Sequence, residues 1–295
     1  MSAMLPMLGL LAAAASSPNP GQPPTDFAGL TLWYDGETSP HYTTWYPPGS
    51  PTDAHGAVVQ RIDTSEGLNR CLSTNTIMGG ESILRNLGLR DVQGTVRGFT
   101  RLDNSTSPNG PSAMMVSTRP TANVDPTWVP ASSLFAAGTK IMMVALRFDA
   151  ELPAGSDPGP GYGAQLVRIS YGYAFLEYVR LTGSANVRVR VGNTNSSGTI
   201  NSRTVDVPVG SWVVITAVHA GGQLKLRANG GAWSAGSSGN TMDWANQGTQ
   251  SVLIGYNVLP GAVHLAQMCF FNQARTDAEL LQIERFLGAR VGITF

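Results

Sequence analysis

Lysine is nearly missing from this chain of 295 residues: of its 19 basic residues only Lys140 and Lys225 are lysines. Such an arginine bias fits a GC-rich coding sequence. Charge is scarce overall, at 13% of residues, roughly half the usual share for a globular domain. The 19 basic residues are matched by 19 acidic ones. That balance excludes the basic footprint of a nucleic-acid binder and a polybasic membrane patch. With two cysteines, Cys71 and Cys269, there is no disulfide framework. A single bridge and two free thiols both remain open, and Cys269 lies in the apolar run 268–271, where a free cysteine acts as a small buried hydrophobe. No two of the four histidines, at 41, 55, 219 and 264, have a zinc-ligand spacing. There is no Gly-x-Ser-x-Gly elbow and no phosphate-binding loop. No apolar run is long enough for a transmembrane helix.

What is abundant is glycine (34) and proline (19), with 42% hydrophobic residues. From Phe27 onward, short β-like runs alternate with clusters of Gly, Pro, Asn and Ser, the pattern of an all-β sandwich. The best runs are 31–34, 57–62, 94–101, 112–117, 140–148, 164–170, 173–181, 186–191, 211–218, 223–228, 251–254 and 264–271. In Val187-Arg188-Val189-Arg190-Val191 the valines face one way and the arginines the other. Leu224-Lys225-Leu226-Arg227 repeats the alternation, so both strands are expected to have one wet face. Residues 40–51, 150–163, 193–203 and 231–248 read as loops, where function concentrates on a sandwich. One helix is predicted, opening with the capping box Thr276-Asp277-Ala278-Glu279. Leu280, Ile283, Phe286 and Leu287 form its apolar stripe, and Gly288 its expected C′ residue.

The first 26 residues read as an arm. Met4–Ala15 is apolar, followed by the proline-rich stretch 16–25. The apolar run resembles the core of a signal peptide but lacks the basic residues that should precede it. The expectation is a retained arm in which Met4, Leu5, Met7, Leu8, Leu10 and Leu11 anchor the chain in a partner, because exposed apolar side chains need cover.

Three stretches resemble laminin-G-like domains of the concanavalin-like jelly-roll superfamily. They are the opening Leu30-Thr31-Leu32-Trp33-Tyr34-Asp35; the pair Gly210–Thr216 and Gly222–Gly230, a Trp212-led strand and a strand ending in Asn229-Gly230; and the end, Leu265–Phe271 with Arg275–Glu279 and Glu284–Gly288. The resemblance implies an all-β antiparallel sandwich over 27–295, with one short C-terminal helix and the extended N-terminal arm. Residues 64–135 fit none of these motifs and read as an insertion. It implies sugar or protein binding, sometimes calcium, and occasionally glycanase activity.

Glycanases of this fold resemble one another in a strand-borne Glu-x-Asp-x-x-Glu. None of the seven glutamates here has an aspartate two positions on. Glu177 alone lies in a central strand, where a single carboxylate is more often paired than catalytic. No catalytic residue is therefore expected. Asp149, Glu151 and Asp157 share one loop and are weak calcium candidates; otherwise no metal or cofactor is expected. Asn104-Ser105-Thr106 and Asn195-Ser196-Ser197 fit the glycosylation pattern. Candidate sugar-stacking rings are Tyr42, Trp45, Tyr46, Tyr162, Trp233 and Trp244, set against the alternative that they plug the sandwich ends or an interface. The functional expectation is a non-enzymatic structural or adhesion protein of a bacteriophage virion: a tail fibre, tail-associated appendage or capsid decoration. Its partners would be other virion proteins through the arm and a host-surface glycan, with no nucleic acid and no membrane span. It is expected to be a homo-oligomer, with a trimer favoured. The alternatives are a secreted bacterial carbohydrate-binding protein and a glycanase.

Overall fold

The computed structural model describes residues 21–42, 128–169, 174–194, 199–237, 248–256 and 263–295, with short segments between 58 and 118. Twenty strands occur among them. The first ten are β1 (Leu30–Asp35), β2 (His41–Tyr42), β3 (Val58–Val59), β4 (Arg61–Asp63), β5 (Arg70–Ser73), β6 (Thr76–Met78), β7 (Glu81–Ile83), β8 (Gly88–Asp91), β9 (Phe99–Leu102) and β10 (Met114–Thr118). The second ten are β11 (Thr139–Phe148), β12 (Ala164–Ile169), β13 (Ala174–Arg180), β14 (Asn186–Thr194), β15 (Ile200–Pro208), β16 (Trp212–Ala220), β17 (Gln223–Ala228), β18 (Ser234–Ser237), β19 (Val252–Tyr256) and β20 (Val263–Phe271). The helix α1 spans Asp277–Arg290.

One sheet has the order β18-β17-β16-β11-β20-β9-β8-β3, with β1 also on β20; the other runs β15-β14-β13-β12-β19-β10-β5-β4-β2. Their inner faces meet in a core that includes Val144, Leu146, Phe148, Leu176, Val189 and Phe270. The predicted antiparallel sandwich is thus the observed fold. The stretch 64–135 supplies β5 and β10 to one sheet and β8 and β9 to the other. Cys71 and Cys269 are both buried, on different sheets.

A second apolar layer lies outside the first sheet. Trp33, Ile141, Met143, Val214 and Phe271 pack there against Leu280, Ile283 and Leu287 of α1. The capping box forms as expected: the Thr276 hydroxyl accepts from the Glu279 amide, and the Glu279 carboxylate accepts from the Thr276 amide. Gly288, expected beyond the helix, lies inside it. Its missing side chain makes room for the Phe295 ring, and Gly292 is the residue with left-handed φ.

Further expectations are overturned: residues 234–237 of the expected loop 231–248 form β18, paired with β17. Of the expected loop 193–203, residues 193–194 end β14 and residues 200–203 begin β15, because β15 is held as an edge strand by a nine-residue backbone register with β14 rather than by its own apolar residues. The arginine faces of β14 and β17 are not both wet. The valines and leucines do face the core, yet Arg190 is only 4% exposed and Arg227 only 5%. A loop covers the first, while α1 and the Trp233 ring cover the second.

Candidate functional site

The glycine-rich loop 150–163 lies against the outer face of the second sheet, and buried charge holds it there. Glu177 on β13 and Arg190 on β14 are cross-strand neighbours. Arg190 Nη1 donates to Glu177 Oε1 at 2.7 Å, and Nη2 donates to Asp157 Oδ2 at 2.6 Å. One guanidinium thereby joins a strand carboxylate to a loop carboxylate. Such charge-assisted bonds are the stronger kind.

Glu177, 1% exposed, also receives the loop directly. Gly161 N donates to both of its oxygens at 3.1 Å, and Gly163 N donates to Oε2 at 3.0 Å. Gly161 has a φ of 85°, the left-handed region in which glycine lacks the side-chain penalty. Gln165 Nε2 donates to the Gly161 carbonyl at 3.0 Å. Burial raises the Glu177 carboxyl above the usual range, against the pull of the Gly161 amide and Arg190. The hydrogen bond from Arg190 holds Asp157 below it. Glu177 is therefore a fully partnered clamp and not a carboxylate open to substrate.

Arg180, at the end of β13, fixes the other half of the loop. Its Nη1 donates to the carbonyls of Ala150 at 2.9 Å and Leu152 at 2.8 Å. Gly155 N donates to the Arg180 carbonyl at 2.9 Å, and Thr182 N to the Gly155 carbonyl at 3.0 Å. Between the two halves opens a cleft of about 290 Å³, lined by Leu152, Pro153, Ser156, Pro158, Tyr162 and Arg180 among others. Tyr162 stands on its wall, 75% exposed. A large, flat, solvent-exposed ring beside a concave, mostly apolar surface suits a ligand with one apolar face.

Of the six rings singled out in the sequence, Tyr162 is the one described at this cleft. Trp233 is elsewhere. Its Nε1 donates to Asp277 Oδ2 at 3.1 Å, and the Arg227 guanidinium lies 4.1 Å from its ring centre. It covers the buried Arg227–Glu284 pair, whose Nε–Oε1 distance is 2.7 Å, and so acts as a plug over the helix layer. Tyr42 belongs to β2, paired with Arg61, and its side chain is outside the described residues. Trp45, Tyr46, Trp244 and the anchor candidates Met4, Leu5, Met7, Leu8, Leu10 and Leu11 also lie outside them.

The calcium candidates do not converge. Asp157 is engaged by Arg190. Asp149 accepts from the Glu151 amide at 2.9 Å and faces His264 Nε2 at 3.4 Å. Among the described residues no three acidic, histidine or cysteine side chains gather as metal ligands. Sequence reasoning overlooked Arg180 and Arg190. The charged alternation of β14 was a legible signal for Arg190, but nothing local distinguishes a covered arginine from a wet one.

No protein-family model and no curated protein matches the chain. Solved structures do. The binding domain of Paraclostridial Mosquitocidal Protein 1 superposes with a TM-score of 0.52 at 13% identity, over 88% of this chain and 52% of that one. The chain thus spans about half the length of that structure. Domain 4 of AbnA, a GH43 extracellular arabinanase from Geobacillus stearothermophilus solved with arabinotriose, gives 0.47 at 11% identity, over 86% and 98%. Trypanosoma rangeli sialidase, solved as a covalent intermediate, gives 0.46 at 13%, over 88% and 33%. At such identities the likeness is one of fold: the chain is an antiparallel β-sandwich of the kind found in the mosquitocidal binding domain.

Proposed function

We propose that the chain is a non-enzymatic binding protein that takes a glycan in the cleft beside Tyr162. The exposed Tyr162 ring carries this reading, because it is presented on a loop that the buried Glu177 and Arg190 and the loop's own Asp157 hold in place. Rigid presentation lowers the ordering cost of binding. The fold likeness to a toxin's binding domain supports a display role. The absence of the glycanase carboxylate spacing, and the complete engagement of Glu177, support a role without catalysis. A glycan array probed with the full chain tests this. Binding to at least one glycan class is expected, with a loss of about tenfold or more in Tyr162→Ala at unchanged fold. No binding to any class, or a Tyr162→Ala variant that binds as wild type, overturns it.

The same reading places the protein on a particle, as a bacteriophage tail fibre, tail-associated appendage or capsid decoration. The apolar run Met4–Ala15 and the proline-rich stretch behind it support an anchoring arm, and a homo-oligomer, with a trimer favoured, would display several clefts. The likeness of Met4–Ala15 to a signal-peptide core favours a second reading, a secreted carbohydrate-binding protein. The intact mass of the native protein separates them: a start near Ser16 favours secretion, and retention of Met4–Ala15 together with co-purification on particles favours the virion.

A further inference from the structure

We infer that the cleft recognises a carboxylate-bearing sugar and that Arg180 receives the carboxylate. The inference rests on the glycan-binding reading above and narrows it. Arg180 is the one charged residue among those lining the cleft. Its head is held in place by neutral groups: Nη1 by the carbonyls of Ala150 and Leu152, and Nε by the Ser184 carbonyl at 3.3 Å. Carbonyls orient the guanidinium but leave its charge uncompensated. Among the described residues Arg180 forms no ion pair, and Nη2 has no protein acceptor.

Three neighbouring acids are taken. Glu177 and Asp157 are bound by Arg190, and Asp206 by Arg188 at 3.1 Å. Those three acids are thus neutralised by arginines of their own, Asp149 faces His264 and Glu151 forms no ion pair with Arg180 among the described residues, and the cleft's own cation keeps donors in reserve. A guanidinium is a planar fork matched to carboxylate geometry. Tyr162 adds an apolar surface for a sugar ring. A sugar acid combines the two chemistries, one ring face to stack and one carboxylate to pair. A volume of about 290 Å³ is at the small end of ligand pockets and suits one or two rings.

Calorimetric titration of the full chain tests this with tetragalacturonate, its methyl ester, 3′-sialyllactose and lactose. At least one acidic ligand is expected to bind, with its neutral counterpart weaker by about tenfold or more. Its affinity should fall as salt is raised. The acid that binds distinguishes a uronate from a sialate. Arg180→Gln is expected to bring acid and neutral counterpart within about threefold of each other. The wild-type comparison decides the acid preference even where that variant fails to fold, since Arg180 also holds the loop, and a folded Arg180→Gln that keeps the full preference overturns the assignment to Arg180. Neutral counterparts bound as tightly, or neither acidic ligand bound, overturns the inference. The wider glycan reading is then judged by the array alone.

Discussion

Arg190 and Glu177 face each other across neighbouring strands at 2.7 Å, and both are all but sealed from solvent. A buried pair of this kind is not a strong source of net stability, but removing one member strands the other's charge. Here the stranded charge would also release a loop, because Glu177 accepts the Gly161 and Gly163 amides.

Arg190→Met is therefore expected to destabilise the fold by about 3 kcal/mol or more, read by urea denaturation. Glu177→Gln retains an acceptor for the loop amides and should cost about 1–2 kcal/mol. Equal stabilities of Arg190→Met and wild type would remove the clamp from the account of the site.

Tyr162 and Trp233 should separate cleanly. Tyr162→Ala is expected to leave stability within about 0.5 kcal/mol while weakening glycan binding. Trp233→Ala loses its stack on Arg227 and its bond to Asp277 and should cost about 2 kcal/mol, with binding unchanged. Thermal melts paired with array binding give the comparison. A reversed pattern would place the site on the helix side.

Gly192→Ala should damage the loop's support from beneath. A Cβ at Gly192 would stand 2.3 Å from the Phe175 ring, and Phe175 lies 3.5 Å beneath the position a Cβ would take at Gly161. Overpacking of this kind costs about 1–3 kcal/mol, and the displaced ring would lift the loop. Reduced stability with lowered glycan affinity is expected, and wild-type values for both would show that Phe175 can yield.

A cross-strand pair at the other sheet contributes its own pH dependence. Lys140 Nζ lies 3.3 Å from His219 Nδ1. Burial, with the Lys140 charge second, lowers the His219 pKa to about 4, and burial lowers Lys140 to about 8. Unfolded His and Lys titrate near ~6.5 and ~10.4. Between about pH 6.5 and 4 the unfolded chain binds the extra proton on His219, so stability falls as pH is lowered through that window. Between about 8 and 10.4 the same sign applies to Lys140, so stability rises with pH there. His219→Leu should flatten the acidic window and spare the alkaline one, read from denaturation midpoints across pH. An unchanged acidic slope would assign it to other groups.

Much of the sandwich was legible because its determinants are local. The strand Gln223–Ala228 was read to the residue, since alternation and the Asn229-Gly230 turn bound it on both sides. The helix start at Thr276 was legible because a capping box is a four-residue event. The edge strand Ile200–Pro208 was not, because its partners lie on β14 and its own side chains are polar.

The candidate site was only partly legible. Tyr162 stood out as a ring in a glycine-rich loop, but Trp233 looked equivalent, and Arg180 did not stand out at all. Exposure, cover and the lack of a counter-ion are properties of what folds against a residue.

The chain's own order of residues therefore determined its elements: which segments alternate, where the turns fall and where the helix is capped. Tertiary structure decided what each outer face means. Registering β13 against β14 sets Glu177 opposite Arg190, and the loop from residues 150–163 then folds back over them. The physical reason is that burial and charge pairing depend on groups brought together from distant positions, while alternation, turns and caps depend on near neighbours.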